Sequence, residues 1–253
     1  MSAAAEGHEA QSQDILAKVH HDLNVWNFPD NGDVDFGFGP INLKTIVMTW
    51  IAMILVIIFT VSATRNMQLK RPGKLQLMVE EVFLFLRGLA VENLGTKKAN
   101  SMMFLVFSLF IYLLFSNLLG LVPTMMSPTA DVNTTLGMSI SVFILAQVLG
   151  LYYKGLGYFK HFVQPFVFFL PINIVEELSK PLTHGFRIFG NIYAGEVLIA
   201  VLLGLIPITA TIFGGFIASV VWLSFSIFVG FVQAFIFTML TIVYISMSSA
   251  ESH

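Results

Sequence analysis

Apolar residues in this chain gather into long runs separated by short polar stretches, and the lengths of the runs predict the elements. A first run predicts a membrane-spanning helix over residues 43–63, with Trp50 near one end. It stops at a basic loop, residues 65–74, holding Arg65, Lys70, Arg71 and Lys74. Residues 75–95 interleave Leu77, Val82, Phe85, Leu86 and Leu89 with Glu80, Glu81, Arg87 and Glu92. That pattern is too charged to span and predicts an amphipathic helix at the membrane interface. Further spans are expected over residues 102–122, ended by Pro123, and residues 136–153, followed by Lys154 and Lys160 in a Gly-rich loop.

The last two runs, residues 166–205 and 208–248, are different. Each would reach roughly 60 Å if wholly helical, twice the ~30 Å hydrocarbon core. Pro171 and Pro181 can kink the first, and Gly214-Gly215 is the best turn signal in the second, but neither predicts a reversal. The expectation is two long, steeply tilted helices packed as an antiparallel pair and joined near Pro207. Gly215, Ala218, Ser219 and Gly230 would permit close approach. The predicted fold is therefore an all-α integral membrane protein with five spanning helices and one interfacial helix.

Composition agrees: 56% of the 253 residues are hydrophobic and 11% charged, where soluble domains carry about 25% charged residues. Mean hydropathy is +0.81. Cysteine is absent, which excludes disulfides and thiolate metal sites, and a net charge of −2 suggests no nucleic-acid partner. Residues 1–40 form an acidic segment with seven acids against Lys18, and residues 41–253 form a single membrane domain. No apolar run with a basic leader marks a cleavable signal there. Residues 14–26 predict a short surface helix bearing Ile15, Val19, Leu23 and Trp26. The acids from Asp30 to Asp35 miss the spacing of a calcium loop and predict a turn. The cations of loops 65–74 and 154–160, with Arg87, Lys97 and Lys98, fall on one side of the membrane. The positive-inside rule then places the N-terminus outside and, after five spans, the C-terminus in the cytoplasm.

Charge returns inside the fourth run. Between Glu176 and Glu196 lie Glu177, Lys180, His184 and Arg187, bracketed by apolar sequence. Ionisable groups at membrane depth are costly and mark function, and a guanidinium cannot shed its proton to escape that cost. At about 100° per residue, Glu176, Lys180, Thr183, Arg187 and Asn191 share a stripe, with Glu196 about 180° round from Arg187. On the other long helix Ser226, Gly230 and Gln233 form a second small or polar stripe, from which Gln233 could hydrogen-bond Arg187. No acid of the chain is well placed to pair with Arg187, so its anionic partner is expected from another polypeptide. Asp131 reads as an exposed loop acid.

The segments 179–181 (SKP), 186–196 (FRIFGNIYAGE) and 233–241 (QAFIFTMLT), with 128–133 (PTADVN), resemble the signatures of subunit a of F-type rotary ATP synthases, bacterial branch. The likeness runs from about residue 40 to the end. It implies a non-catalytic stator subunit without cofactor, in the bacterial plasma membrane, set against a rotating ring of helical hairpins that each carry a carboxylate. It also implies a peripheral-stalk subunit, surrounding lipid and, indirectly, a soluble ATPase head. Carried over by position, Arg187 separates two offset half-channels. Asn191, Glu196 and Gln233 border the outer one, and residues around Glu176 and Thr183 the cytoplasmic one. Some family members carry a histidine where this chain has Ser226, which leaves Glu196 as the clear titratable group of the outer path. The competing classes are a secondary transporter and a respiratory membrane subunit. The former lacks support from any internal repeat, the latter from the FGN…AGE run. Whether H⁺ or Na⁺ is carried stays open at this stage.

Overall fold

The structure, a computed structural model, describes residues 33–35, 40–65, 67–68, 72–122, 125, 127–159, 166–205 and 216–249. Within these, the side chains of 33–35, 40–42, 156, 159, 167, 196–205 and 216–219 are left aside. The expected helix at 14–26, the joint near Pro207 and the Gly214-Gly215 pair lie outside the described residues.

A short antiparallel pair, β1 (Asp33–Asp35) and β2 (Pro40–Asn42), precedes the helices, with Val34 opposite Ile41. It departs from the wholly helical expectation. Strands of three residues are too short to show a period in the sequence. Among the described residues six helices follow: α1 (Leu43–Thr64), α2 (Lys74–Leu94), α3 (Thr96–Leu119), α4 (Val132–Lys154), α5 (Leu170–Leu205) and α6 (Phe216–Ser249). Four of them are long and apolar enough to cross a membrane: α1, α3, α4 and Val220–Ser249 of α6. The chain is thus a multi-pass helical membrane protein. The fifth expected crossing, α5, runs unbroken for 36 residues but carries the charged stretch.

α3 is the centre of the bundle. Val106, Phe110 and Leu113 are buried along it, and α2, α6 and α1 pack around it. Between α2 and α3 the chain turns at Gly95, whose φ of 75° lies in the left-handed region that only glycine adopts cheaply. The amphipathic pattern of α2 buries Leu86, Ala90 and Leu94 in the same core as Ala99 and Met103. Leu77, Met78, Leu84 and Phe85 stay exposed. α1 buries only Met48, Ala52 and Ala63, and turns Trp50, Ile54, Ile57, Ile58 and Val61 outward. That apolar outer face suits lipid, where it would be costly in water.

Polar ties join the helices where water is scarce. Asp131 is not a free loop acid: it caps α4 by accepting from the Asn133 amide at 2.8 Å, and accepts from Thr45 Oγ1 of α1 at 3.1 Å. Thr129 Oγ1, in the 3₁₀ turn Pro128–Ala130, donates to Asn117 Oδ1 of α3 at 3.1 Å. Asn117 Nδ2 in turn donates to the Gly230 carbonyl of α6 at 2.9 Å. Gly230 therefore serves an α3–α6 contact, where an α5–α6 contact was expected.

α5 lies chiefly along α4 and α6 along α3 and α4, while α5 and α6 touch each other more sparingly. Ser139 Oγ of α4 donates to the carbonyl of Pro181 at 2.6 Å. Pro181 sits inside α5 and brings no N–H to its ladder. One turn on, a Cβ at Gly185 would lie 2.8 Å from Leu136 Cδ2 and 3.2 Å from the Thr135 carbonyl oxygen. The α4–α5 crossing therefore requires glycine. We expect Gly185→Val to destabilise the bundle by about 1–3 kcal/mol through overpacking, read as a lowered Tm in detergent or as loss of the chain from membranes.

Candidate functional site

The face of α5 that carries Arg187 is open. Thr183, Phe186 and Arg187 are exposed and, with Ser179 and Leu182, line a shallow groove. Among the described residues Arg187 makes no ion pair and no hydrogen bond. The opposite face, carrying Glu177, Pro181, His184 and Ile188, is buried. These positions follow the i, i+4, i+7, i+11 spacing of a helix stripe.

Beyond Arg187 toward the C-terminus of α5 is a cavity of about 170 Å³, lined among others by Asn117, Ser127, Asn191, Gly195, Ser226 and Gln233. It brings three of the expected site residues together. Asn191 Nδ2 donates to Gln233 Oε1 at 2.7 Å, so Gln233 is engaged with Asn191 where a bond to Arg187 was expected. Gln233 is 3% exposed, and its Nε2 has no partner among the described residues. A buried unpaired N–H costs about 1–3 kcal/mol, and a cavity of this size has room for several waters to serve it. Glu196 follows Gly195 on α5; its side chain lies outside the described residues.

A second cavity, about 280 Å³, lies toward the N-terminal part of α5 and is lined among others by Gln147, Lys154, Tyr158, Glu177, Lys180 and Tyr244. Glu177, 7% exposed, is its centre. One carboxylate oxygen pairs with Lys180 on the same helix. The other accepts from Gln147 Nε2 of α4 at 3.2 Å. The Tyr158 hydroxyl donates to Gln147 Oε1 at 2.5 Å, which turns the amide's N–H toward Glu177. Tyr158 stands in the 3₁₀ turn Gly155–Phe159 after α4. Burial pushes its phenol above the usual value of 10, so it stays a donor.

The site residues therefore sort differently from the sequence expectation. Arg187 and Thr183 share the open groove. Asn191, Gln233 and Ser226 share one cavity. Glu176, expected on the stripe of Arg187, is exposed like it, and its neighbour Glu177 occupies the second cavity. Sequence reasoning missed Asn117, Gln147 and Tyr158. Asn117 left a signal, a polar pair with Ser116 inside an apolar run, while Tyr158 left none.

The sequence model of the family described as ATP synthase A chain matches residues 46–246, more than half of the chain. The chain belongs to the ATP synthase A chain family. It is similar to the ATP synthase subunit a of Desulforamulus reducens, with 49% identity over 257 residues, covering 99% of this chain and 98% of that one. It is 40% identical over 225 residues to the subunit a of Staphylococcus saprophyticus, covering 84% and 92%. The subunit a of Staphylococcus carnosus is 40% identical over 224 residues, with the same shares. As a member of the ATP synthase A chain family it is a membrane-sector subunit of that complex, engaged in ion transport and ATP synthesis.

Proposed function

We propose that this chain is the stator subunit that delivers ions to, and collects them from, the carboxylates of a rotating ring. The observation that carries the reading is the position of Arg187. It is a permanent cation on the exposed face of α5, unpaired among the described residues, with a cavity holding polar side chains toward each end of the helix. A charge so placed needs an anion, and one that arrives and departs would convert rotation into ion movement.

In this reading α5 and the described part of α6 are the last two of five crossings, steeply tilted as an antiparallel pair, residues 41–253 are one membrane domain, and the N-terminus is outside. The outer half-channel is bordered by Asn191, Gln233 and Ser226, with Glu196 as its titratable group. The cytoplasmic half-channel passes Glu177, with Glu176 and Thr183 on the approach to the ring. A ring carboxylate crossing lipid must be neutralised by H⁺ or Na⁺. Beside Arg187 the charged form is favoured and the ion is released. Each elementary charge moved yields about 2.3 kcal/mol per 100 mV, so several ions must pass for each ATP. The partners are the hairpin ring, a peripheral-stalk subunit, lipid and, through them, the ATPase head.

The test is purification through a tag on this chain, followed by reconstitution. The reading expects a ring protein and an ATPase head to travel with it, and ATP-driven ion uptake into the vesicles. Recovery as a lone solute carrier would contradict it.

A further inference from the structure

The two cavities lie along the same α5–α6 seam, and what separates them is a layer of four side chains. Gln233, on the outer cavity, and Tyr244, on the other, are about 16 Å apart along α6. Between them Phe237 and Thr241 of α6 are wholly buried, as are Ile188 and His184 of α5 at 0% and 1% exposure. The His184 ring lies on Phe237 with centroids 3.8 Å apart and meets Tyr244 edge-on at 5.5 Å. Neither nitrogen of His184 reaches a polar side chain among the described residues, and the backbone of Phe237 is the polar group beside the ring. The Thr241 hydroxyl is closed on its own helix, donating to the Phe237 carbonyl at 2.9 Å. No chain of side-chain hydrogen bonds therefore crosses this layer among the described residues, although cavities holding polar side chains stand on both sides.

We infer that the His184–Phe237 stack is a dry septum that keeps ions from passing between the cavities inside the chain itself. This barrier is separate from the one assigned to Arg187. The guanidinium stands on the exposed face of α5, where it would meet the ring, whereas the stack stands on the buried face, turned away from that contact. Without the stack, a file of water could join Gln233 to Tyr244 and Glu177, and the gradient would dissipate without rotation. The nitrogens of His184 make it the layer's weak point. They are polar groups with no side-chain partner among the described residues, and a nearby polar partner with space for water would wet them. Arg187 one turn on, and Lys180 and Glu177 on the preceding turns, are the charged groups of α5 nearest the stack, and Tyr244 is the titratable group facing it from α6.

The inference rests on the half-channel reading, and its test separates the two. The complete complex is reconstituted into vesicles and treated with a carbodiimide to block the ring carboxylates. Passive H⁺ and Na⁺ entry is then followed under an imposed potential. His184→Ser removes the ring and leaves a hydroxyl that can hold water. Its vesicles should leak at least about tenfold faster than wild type, equivalent to a barrier lower by about 1.4 kcal/mol. Phe237→Ser attacks the same layer from α6 and should leak likewise. His184→Phe keeps the aromatic filling without the nitrogens and should be as tight as wild type. Serine variants as tight as wild type, or a His184→Phe variant as leaky as His184→Ser, would overturn the septum. In untreated vesicles, Arg187→Ala that still pumps would overturn the parent reading. Failure of Arg187→Ala to pump, together with tight serine variants, would overturn the septum alone.

Discussion

Arg187→Ala should abolish gradient-driven ATP synthesis in membrane vesicles while leaving the head's own ATP hydrolysis intact. The expectation follows from chemistry that no other residue supplies. Lys180 is already paired with Glu177, and His184 is buried on the other side of the helix. Nothing else described in the open groove carries charge, since Ser179, Leu182, Thr183 and Phe186 are neutral. Removing one member of a desolvated ion pair costs about 3–5 kcal/mol. Applied to each passage of a ring carboxylate, that slows turnover by at least about a hundredfold. Arg187→Lys keeps the charge but loses the planar fork that holds a carboxylate at two points, so it should also be severely impaired. Synthesis under an imposed gradient, measured beside hydrolysis in the same vesicles, checks both variants.

The second large effect belongs to Glu177 and not to Glu176. Glu177→Gln removes the carboxylate of the Lys180 pair and leaves that ammonium, 18% exposed, without its anion. Two consequences are expected. The chain should be less abundant in membranes, because an uncompensated, largely buried cation destabilises it. ATP-driven ion uptake should also fall by about a hundredfold, the usual scale for losing a positioned proton-transfer group. Glu177→Gln with Lys180→Met separates the two. It should restore abundance, because the stranded charge is gone, without restoring uptake. Glu176→Gln, on an exposed position at the approach to the ring, should leave abundance as in wild type and lower uptake far less than Glu177→Gln.

That contrast also marks where the sequence stops being legible. Four apolar runs announced α1, α3, α4 and α6, because a bilayer demands length and apolarity that few other contexts produce. The cation inside the run that became α5 was equally plain, since charge is conspicuous against an apolar background. Choosing between Glu176 and Glu177 needed the helix's phase against α4. That phase is set by Pro181 meeting Ser139 and by Gly185 meeting Leu136, contacts that no local pattern encodes. The cavity residues Gln147 and Tyr158 are brought to Glu177 from 30 and 19 positions away in sequence, so only the packing of α4 on α5 reveals them. Asp131 looked like an ordinary loop acid because its partner, Thr45, stands 86 positions earlier. Gly230 was read correctly as a point of close approach but assigned to the wrong neighbour. Small residues show that something packs there without showing what.

The central claim is that the anion meeting Arg187 comes from a neighbouring, moving subunit, and a cross-link tests it most directly. The chain contains no cysteine, so one introduced at Phe186, exposed beside Arg187 in the groove, is unique within it. In the assembled complex it is paired with a single cysteine one helical turn from the ring carboxylate, and the vesicles are oxidised. The account predicts a disulfide between this chain and one ring subunit, with ATP-driven ion uptake lost on oxidation and regained on reduction. No cross-link from Phe186→Cys, with one formed instead from Trp50→Cys on the outer face of α1, would contradict it.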